Sequence, residues 1–166
     1  MRLTTKGRYA VTAMLDIAMY GGTCAVTASD VSKRQGISRS YLERLLGQLH
    51  QRKLVESTHG PGGGYQLARG MEHISIADII HAVDEAVDAT QCHGKRDCHD
   101  GEQCMTHELW ENLNLQINRY LASITLAELV DGHRRKQTDK VTAGVSPWVP
   151  LTDKRVSANA SNVDAK

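Results

Sequence analysis

The chain has 166 residues, 40% of them hydrophobic, and a formal net charge of +1 at pH 7. Because it contains no Phe and only 4% aromatic residues, its core must be built mainly from Leu, Ile, Val, Ala and Met. No run is apolar and long enough to cross a bilayer, and the first residues, MRLTTKGRYA, contain no hydrophobic signal-peptide core, so we expect a cytoplasmic protein without a membrane partner.

The nearly neutral total hides an uneven distribution of charge. Residues 1–66 carry nine Lys or Arg against four Asp or Glu, a net of +5, whereas residues 67–131 carry four against twelve, a net of −8. Residues 132–166 carry seven against three, a net of +4. We expect the basic first segment to face a polyanion, although this signal is weak by itself because basic, solvated faces are common.

Three helices are predicted in succession at the start of the chain. Apolar residues recur at helical spacing in KGRYAVTAMLDIAMY, which ends at Gly21 and Gly22. Thr27 caps a short second helix that stops at Gly36, and Ser38 caps the third. The tight turn QGIS between the second and third helices is typical of a helix-turn-helix, whose second helix enters the major groove of DNA.

Two short strands, LVEST and YQLA, flank the glycine-rich stretch HGPGGG and predict a β-hairpin. The alternative, a phosphate-binding loop, lacks the Lys-Ser/Thr pair and the helix that would follow such a loop. The predicted fold class is therefore mainly α with a small β-hairpin. Residues 1–70 form a winged helix-turn-helix DNA-binding domain in this interpretation.

The remaining chain predicts helices on both sides of a cysteine-containing loop. Ser75 begins a fourth helix, and apolar residues recur from Leu109 to Ile124 in a long amphipathic helix. Either a second copy of this helix or the N-terminal helix of the same chain must cover its apolar stripe. We expect a homodimer, because winged-helix proteins usually pair on DNA. The loop and dimerisation helices then occupy residues 71–131, a last short helix begins at TLAE, and residues 132–166 form a disordered tail.

The first turns of the third helix carry the side chains predicted to meet DNA. Arg39 and Arg44 are suited to phosphate or guanine, Ser40 to a phosphate or a base edge, and Tyr41 lies between them in the sequence. Glu43 is unusual in this position, because phosphates repel a carboxylate. It either accepts a hydrogen bond from cytosine N4 or pairs with a neighbouring Arg on the helix surface.

The predicted wing adds His59 and Gly60, which begin the glycine-rich turn. We expect this turn to run along the DNA backbone beside the third helix. His59 either reaches the minor groove or a phosphate, or it is a solvated turn histidine.

The stretch CHGKRDCHDGEQCMTH, residues 92–107, contains three Cys and three His in sixteen positions. The reducing environment of a cytoplasmic protein disfavours disulfides and favours metal or redox chemistry at clustered cysteines. The candidate ligands are Cys92, Cys98, Cys104 and His107.

The spacing of these candidate ligands is wider than that of a structural zinc site, which usually has two close pairs. Wide, glycine-separated thiolates favour an iron–sulfur cluster, but the spacing leaves zinc and the absence of a metal open. His93 and His99 are rival nitrogen ligands, and each directly follows a candidate cysteine.

Several stretches, namely MRLTTKGRYAVTAMLDIA, GISRSYLERLL, HGPGGGYQL and VDEAVDATQC, together with the spaced candidate ligands, closely resemble the IscR family of bacterial iron–sulfur cluster regulators. The resemblance covers about residues 1–131. It implies a winged-helix homodimer that holds a 2Fe–2S cluster, receives it from the iron–sulfur assembly machinery and controls cluster-biogenesis genes. The ligands implied by the resemblance are Cys92, Cys98, Cys104 and His107.

The resemblance also implies that the cluster-bound form represses transcription and that the apo form prefers different operator sites. The residue matching Glu43 discriminates between the two classes of site in that family. At His59 the chain departs from the family, which usually has Arg there. An Arg at this position suits a narrow minor groove because a guanidinium is always charged. An imidazole is mostly neutral at pH 7, so a minor-groove contact is not implied for His59.

We therefore interpret the chain as a cytoplasmic regulator of transcription, not an enzyme, that binds double-stranded operator DNA as a homodimer. One alternative is an iron–sulfur electron-transfer or redox protein, which would leave the basic helix-turn-helix and the wing unexplained. The other is a zinc-responsive repressor, which would use the same DNA-binding domain with a different metal.

Overall fold

The computed structural model describes residues 4–22, 24–84 and 102–143, with side chains described as far as residue 138. The predicted fold class is confirmed: the described residues are mainly helical, with one two-stranded antiparallel sheet. A 3-10 turn at Met71–His73 precedes the fourth helix. The helices and strands are α1 (Thr5–Tyr20), α2 (Ala28–Gln35), α3 (Arg39–Gln51), β1 (Val55–Thr58), β2 (Gly64–Leu67), α4 (Ile76–Ala82), α5 (His107–Ser123) and α6 (Leu126–Ala143).

The ends of α2 follow from the residues predicted to cap it. The Thr27 hydroxyl donates to Asp30 Oδ2 at 2.6 Å and accepts from the Asp30 backbone N–H at 3.1 Å. The first of these bonds holds the pKa of the Asp30 carboxyl below its ordinary value. Gly36 ends the helix with a left-handed φ of 66°. Ser38 occupies the N-cap position of α3 as predicted, but its side chain makes no cap hydrogen bond.

The predicted hairpin is also confirmed. β1 and β2 pair antiparallel from Val55 opposite Leu67 to Thr58 opposite Gly64. The loop before α2 joins this sheet, because Val26 exchanges two backbone hydrogen bonds with Tyr65, at 2.9 and 2.8 Å. A Cβ at Gly64 would lie 2.6 Å from the Val26 carbonyl oxygen, so this close approach requires glycine.

One continuous core connects the predicted DNA-binding region to the helices that follow it. α1 lies at its centre and packs against α2, α3, β2, α4 and α6. The apolar stripe of α3 is fully buried and consists of Leu42, Leu45, Leu46 and Leu49. Since Leu126 and Val130 of α6 are also buried, the core crosses the boundary predicted at residue 70.

The last helix differs from its prediction. α6 runs to Ala143, so it is not short, and residues 132–143 are helical where we predicted a disordered tail. Its sequence has one glycine, Gly132, and no proline, and it is rich in residues that favour helices. The missing apolar period means only that this part of the helix buries no continuous face. The rest of the predicted tail, 144–166, lies outside the described residues.

Candidate nucleic-acid interface and cluster ligands

The N-terminal half of α3 presents a polar face to solvent. Arg39, Ser40, Glu43 and Arg44 are exposed, and Tyr41 is half-buried at the edge of this face. The leucines of the same turns are buried, so the helical period separated the two faces correctly. Contact of these side chains with DNA stays a prediction.

Glu43 pairs with Arg39 in this structure. The Arg39 Nε–H donates to Glu43 Oε1 at 2.8 Å, and the two side chains are 67% and 47% exposed. This is the second of the two interpretations of Glu43, a surface pair with a neighbouring Arg. A contact with cytosine stays a prediction.

Two aromatic side chains support the same face of α3. The Arg44 guanidinium lies over the Tyr41 ring, 5.0 Å from its centroid. Tyr41 in turn meets Tyr9 of α1 edge to face, with centroids 6.0 Å apart and rings at 82°. Tyr9 was not among the predicted interface residues, because only the packing of α1 on α3 brings it to this surface.

A buried ion pair fixes α2 on α1. The Asp16 carboxylate is fully buried and accepts from Arg34 Nη2 at 2.6 Å and from Arg34 Nε at 3.0 Å. The Gln35 side-chain amide donates to it at 2.7 Å, and the Arg34 guanidinium lies 4.3 Å from the Tyr20 ring centroid. The hydrogen bond to Asp16 raises the pKa of Arg34 above its ordinary value. The only sequence signal was an acidic residue within the apolar run MLDIA.

The wing residues lie where the hairpin turns. His59 follows β1 directly and is exposed, as is Gly60, which has a left-handed φ of 99°. An L side chain would be strained at Gly60, so the glycine keeps the turn tight. The exposure of His59 is compatible with both of its interpretations, a DNA contact and a solvated histidine.

Two of the four candidate cluster ligands lie together at the start of α5. The His107 backbone N–H donates to the Cys104 carbonyl oxygen at 3.0 Å, and His107 is the first residue of the helix. The His107 side chain is buried and the Cys104 side chain is half-buried. The predicted apolar period from Leu109 places His107 just before or at the start of this helix, but it does not predict the burial of His107.

The other two candidate ligands, Cys92 and Cys98, and the rivals His93 and His99 lie outside the described residues. Within the part of the chain that the structure describes, no three His, Cys, Asp or Glu side chains form a group that would hold a metal ion. Whether the four candidates come together stays a prediction.

Asp84 connects the end of α4 to the end of α3. Its carboxylate accepts from the Gln48 side-chain amide at 3.3 Å and from Arg52 Nη2 at 3.4 Å. Its own backbone is left-handed, with a φ of 53°. Asp84 precedes the candidate ligand Cys92 by eight positions in the sequence.

One face of α5 is apolar and open to solvent. Ile117, Leu121 and Ile124 pack against the core of the chain, which is part of the predicted stripe. The large apolar side chains exposed on α5 and just before it are Met105, Leu109, Trp110, Leu113, Leu115 and Tyr120. Within the described residues, the chain therefore covers part of the stripe and leaves Leu109, Leu113 and Tyr120 exposed. Across residues 4–22, 24–84 and 102–143, none of the helices combines the length and apolarity needed to cross a bilayer.

Residues 3–132 match the Rrf2 family, which is described as iron-dependent transcriptional regulators. The sequence is 58% identical over 131 residues to a helix-turn-helix-type transcriptional regulator of Neisseria meningitidis, covering 79% of this chain and 88% of the relative. It is 55% identical over 130 residues to the transcriptional regulator IscR of Sodalis glossinidius, covering 78% and 79%. The fold is similar to that of IscR from T. potens, with a TM-score of 0.69 and 33% identity over 82% of this chain and 91% of that one.

Proposed function

The chain belongs to the Rrf2 family, so it is a DNA-binding transcription regulator and not an enzyme, and we propose that it senses iron–sulfur cluster supply through a 2Fe–2S cluster. In this proposal the regulator acts in the cytoplasm as a homodimer. It receives its cluster from the iron–sulfur assembly machinery and controls the genes for cluster biogenesis. The observation that carries the proposal is the pair of candidate ligands at the start of α5, in a chain that matches an iron-dependent family.

The donor set suits such a cluster. Cys104 and the buried His107 lie three positions apart at the start of α5 and are joined by a backbone hydrogen bond, and thiolate and imidazole are both ligands of 2Fe–2S centres. Burial at the first turn of α5 restricts the directions in which His107 can point. A bound cluster would supply a redox-active centre that is lost when supply falls. The proposed ligands are Cys92, Cys98, Cys104 and His107.

DNA reading is assigned to α3 and the wing. The exposed polar face of α3 would enter the major groove, with Arg39, Ser40, Tyr41, Glu43 and Arg44 at or beside the bases and phosphates. His59 and Gly60 would lie along the DNA backbone. The open face of α5 supports the homodimer, since a second copy of the helix would cover it.

The proposed regulation follows from these two parts. The cluster-bound form represses transcription at one class of operator, and the apo form prefers another class. The Asp84 contacts with Gln48 and Arg52 support this, because they join Asp84, which precedes the candidate ligands in the sequence, to the C-terminal end of α3. Iron–sulfur electron transfer as the main role and a zinc-responsive repressor are the outcomes that would contradict the proposal.

Substitutions of His107 test the proposal. After anaerobic purification we expect iron, sulfide and visible absorption in the wild type, and loss of the colour in His107→Ala. His107→Cys should retain the cluster and lower its reduction potential by on the order of 100 mV, because a thiolate adds negative charge where an imidazole adds none. His93→Ala and His99→Ala are the matched controls and should change little.

The same preparations distinguish the alternatives. The wild type should retard duplex DNA with an affinity that falls steeply with salt, and its preference among operators should change when the cluster is removed. Stoichiometric zinc without iron would favour the zinc-responsive repressor. A cluster whose removal leaves DNA binding unchanged would contradict cluster sensing.

A further inference from the structure

The Arg39–Glu43 pair leaves one end of the guanidinium available. The carboxylate accepts from Nε at 2.8 Å. The two terminal nitrogens are the donors that form a bidentate contact with guanine O6 and N7. Both side chains are largely exposed on the polar face of α3, so the pair is open to a ligand that approaches this face.

Helix stability does not explain the pair. Arg39 is the first residue of α3, where the helix dipole disfavours a positive charge. The order Arg then Glu at i,i+4 is also the less favourable of the two possible orders. The first turn of α3 contains no acidic residue, and Ser38 forms no side-chain cap. A positive group at this helix start is better explained by an electronegative ligand than by the helix.

The neighbouring arginine is held differently. The Arg44 guanidinium lies over the Tyr41 ring, 5.0 Å from its centroid, in a cation–π contact. The Arg39 guanidinium is oriented by the hydrogen bond from its Nε to Glu43. This bond restricts the directions in which its two terminal nitrogens can donate. Of these two arginines, Arg39 is therefore the one suited to reading a base, and Arg44 is suited to phosphate.

We propose that Arg39 reads a guanine in the operator and that Glu43 is a positioning residue that orients its guanidinium. In this proposal Glu43 affects base selectivity only indirectly, because it orients the Arg39 side chain that contacts the guanine. The carboxylate has a second effect, because it offsets the charge of Arg39 and weakens its attraction to phosphates of any sequence. The inference rests on the proposed placement of α3 in the major groove.

An operator with altered guanines tests the inference. The duplex is selected by the wild-type chain from a randomised pool, and each guanine is then replaced in turn by 7-deazaguanine, which pairs normally but lacks N7. We expect the wild type to lose about 10-fold in affinity at one guanine of each half-site, within the range of a single bidentate contact. Arg39→Ala should bind the original and substituted duplexes equally.

The Glu43 variants separate positioning from direct reading. Glu43→Gln keeps an acceptor oxygen for Arg39 and should keep the response to 7-deazaguanine. Glu43→Ala removes the acceptor and should reduce the response to less than about 3-fold, a small part of one base contact. Arg44→Ala is the matched control. It should weaken binding to every duplex and leave the response to 7-deazaguanine intact.

Several results would overturn the inference. One is a wild type that responds at no guanine, and another is an Arg39→Ala variant that responds as the wild type does. A Glu43→Ala variant with relaxed base preference but a full 7-deazaguanine response would show that the carboxylate reads a base itself. Thermal unfolding and affinity for random duplex confirm that each variant is folded. A wild type that binds no duplex at all would overturn the proposed function as well, which distinguishes the two failures.

Discussion

The winged-helix region and the start of α5 differ in how far their apolar side chains are buried. In residues 4–22 and 24–84 the apolar faces of the helices meet each other in one core. On α5 the only fully buried residue is His107, and most of the large exposed apolar side chains of the described chain lie between Met105 and Tyr120. The described residues thus bury the apolar faces of the first region and leave much of the apolar face of α5 exposed, which is the surface assigned to the proposed dimer.

The difference shows what each region depends on. The winged helix is held by contacts inside the chain, including the buried pair of Asp16 and Arg34. The proposed dimer would depend on side chains that contribute little to the fold of a single chain. Substitutions in the two regions should therefore separate stability from assembly.

The largest expected effect is on assembly. Leu113→Asp places a charge on the open face of α5, and we expect a folded monomer. Because a dimer binds two half-sites at once, its loss should reduce operator affinity by roughly 100-fold to 10,000-fold. Light scattering after size exclusion measures the mass, and DNA retardation measures the affinity.

Leu115→Asp is the matched control for this comparison. Leu115 is also exposed, but it lies two positions from Leu113 and therefore near the opposite side of the helix. It should leave the dimer intact. A dimer that survives Leu113→Asp, or that dissociates equally in both variants, would contradict the assignment of this face.

The second expected effect is on the stability of the winged helix. Arg34→Ala leaves the buried Asp16 carboxylate without its charged partner and with the hydrogen bond from the Gln35 side-chain amide, and it should cost about 3–5 kcal/mol in free energy of unfolding. Asp16→Asn leaves Arg34, which is 32% exposed and able to hydrate, and it should cost about 1–3 kcal/mol. Urea unfolding measures both.

Arg34→Ala should therefore lower the free energy of unfolding more than Asp16→Asn does. Equal losses for Arg34→Ala and Asp16→Asn would show that the burial of Asp16 does not control the energy of the pair. Both variants should remain dimeric under native conditions, because neither residue lies on the open face of α5. Loss of the dimer in a folded variant would contradict the separation of the two regions.

The smallest expected effect concerns the contact between α3 and α4. Asp84→Ala removes an exposed ion pair, worth about 0–1 kcal/mol, and places Ala at a φ of 53°. The left-handed backbone adds a cost of roughly 1 kcal/mol for Ala. Asp84→Gly removes the same side-chain contacts without that cost. Urea unfolding should therefore find Asp84→Ala less stable than Asp84→Gly, and the reverse order would contradict this account.

Local signals in the sequence predicted much of the architecture. Thr27 and Gly36 bound α2 as expected, because a cap depends on residues within one turn of the helix end. The buried leucines of α3 and the exposed position of Arg39 follow from the helical period alone. α6 was predicted too short, because apolar periodicity reports burial and α6 has helical residues that bury no continuous face.

The candidate site was predicted only in part, because the sequence reports local features and not the contacts between side chains. The exposed face of α3, the wing and the place of His107 at a helix start are local features, and the spacing of the cysteines with a family resemblance predicted the ligand set. The choice of Arg39 as the partner of Glu43, rather than Arg44, needed the positions of the side chains.

The sequence alone therefore determined the order of helices and strands, the caps and the polarity of each face, because these depend on neighbours within a few positions. Tertiary structure alone decided the pairing of Asp16 with Arg34, of Tyr9 with Tyr41 and of Asp84 with Arg52. Each of these pairs joins different helices or helix ends that lie far apart in the sequence. Their meeting depends on how the helices pack around α1, and no spacing rule within one helix contains that information.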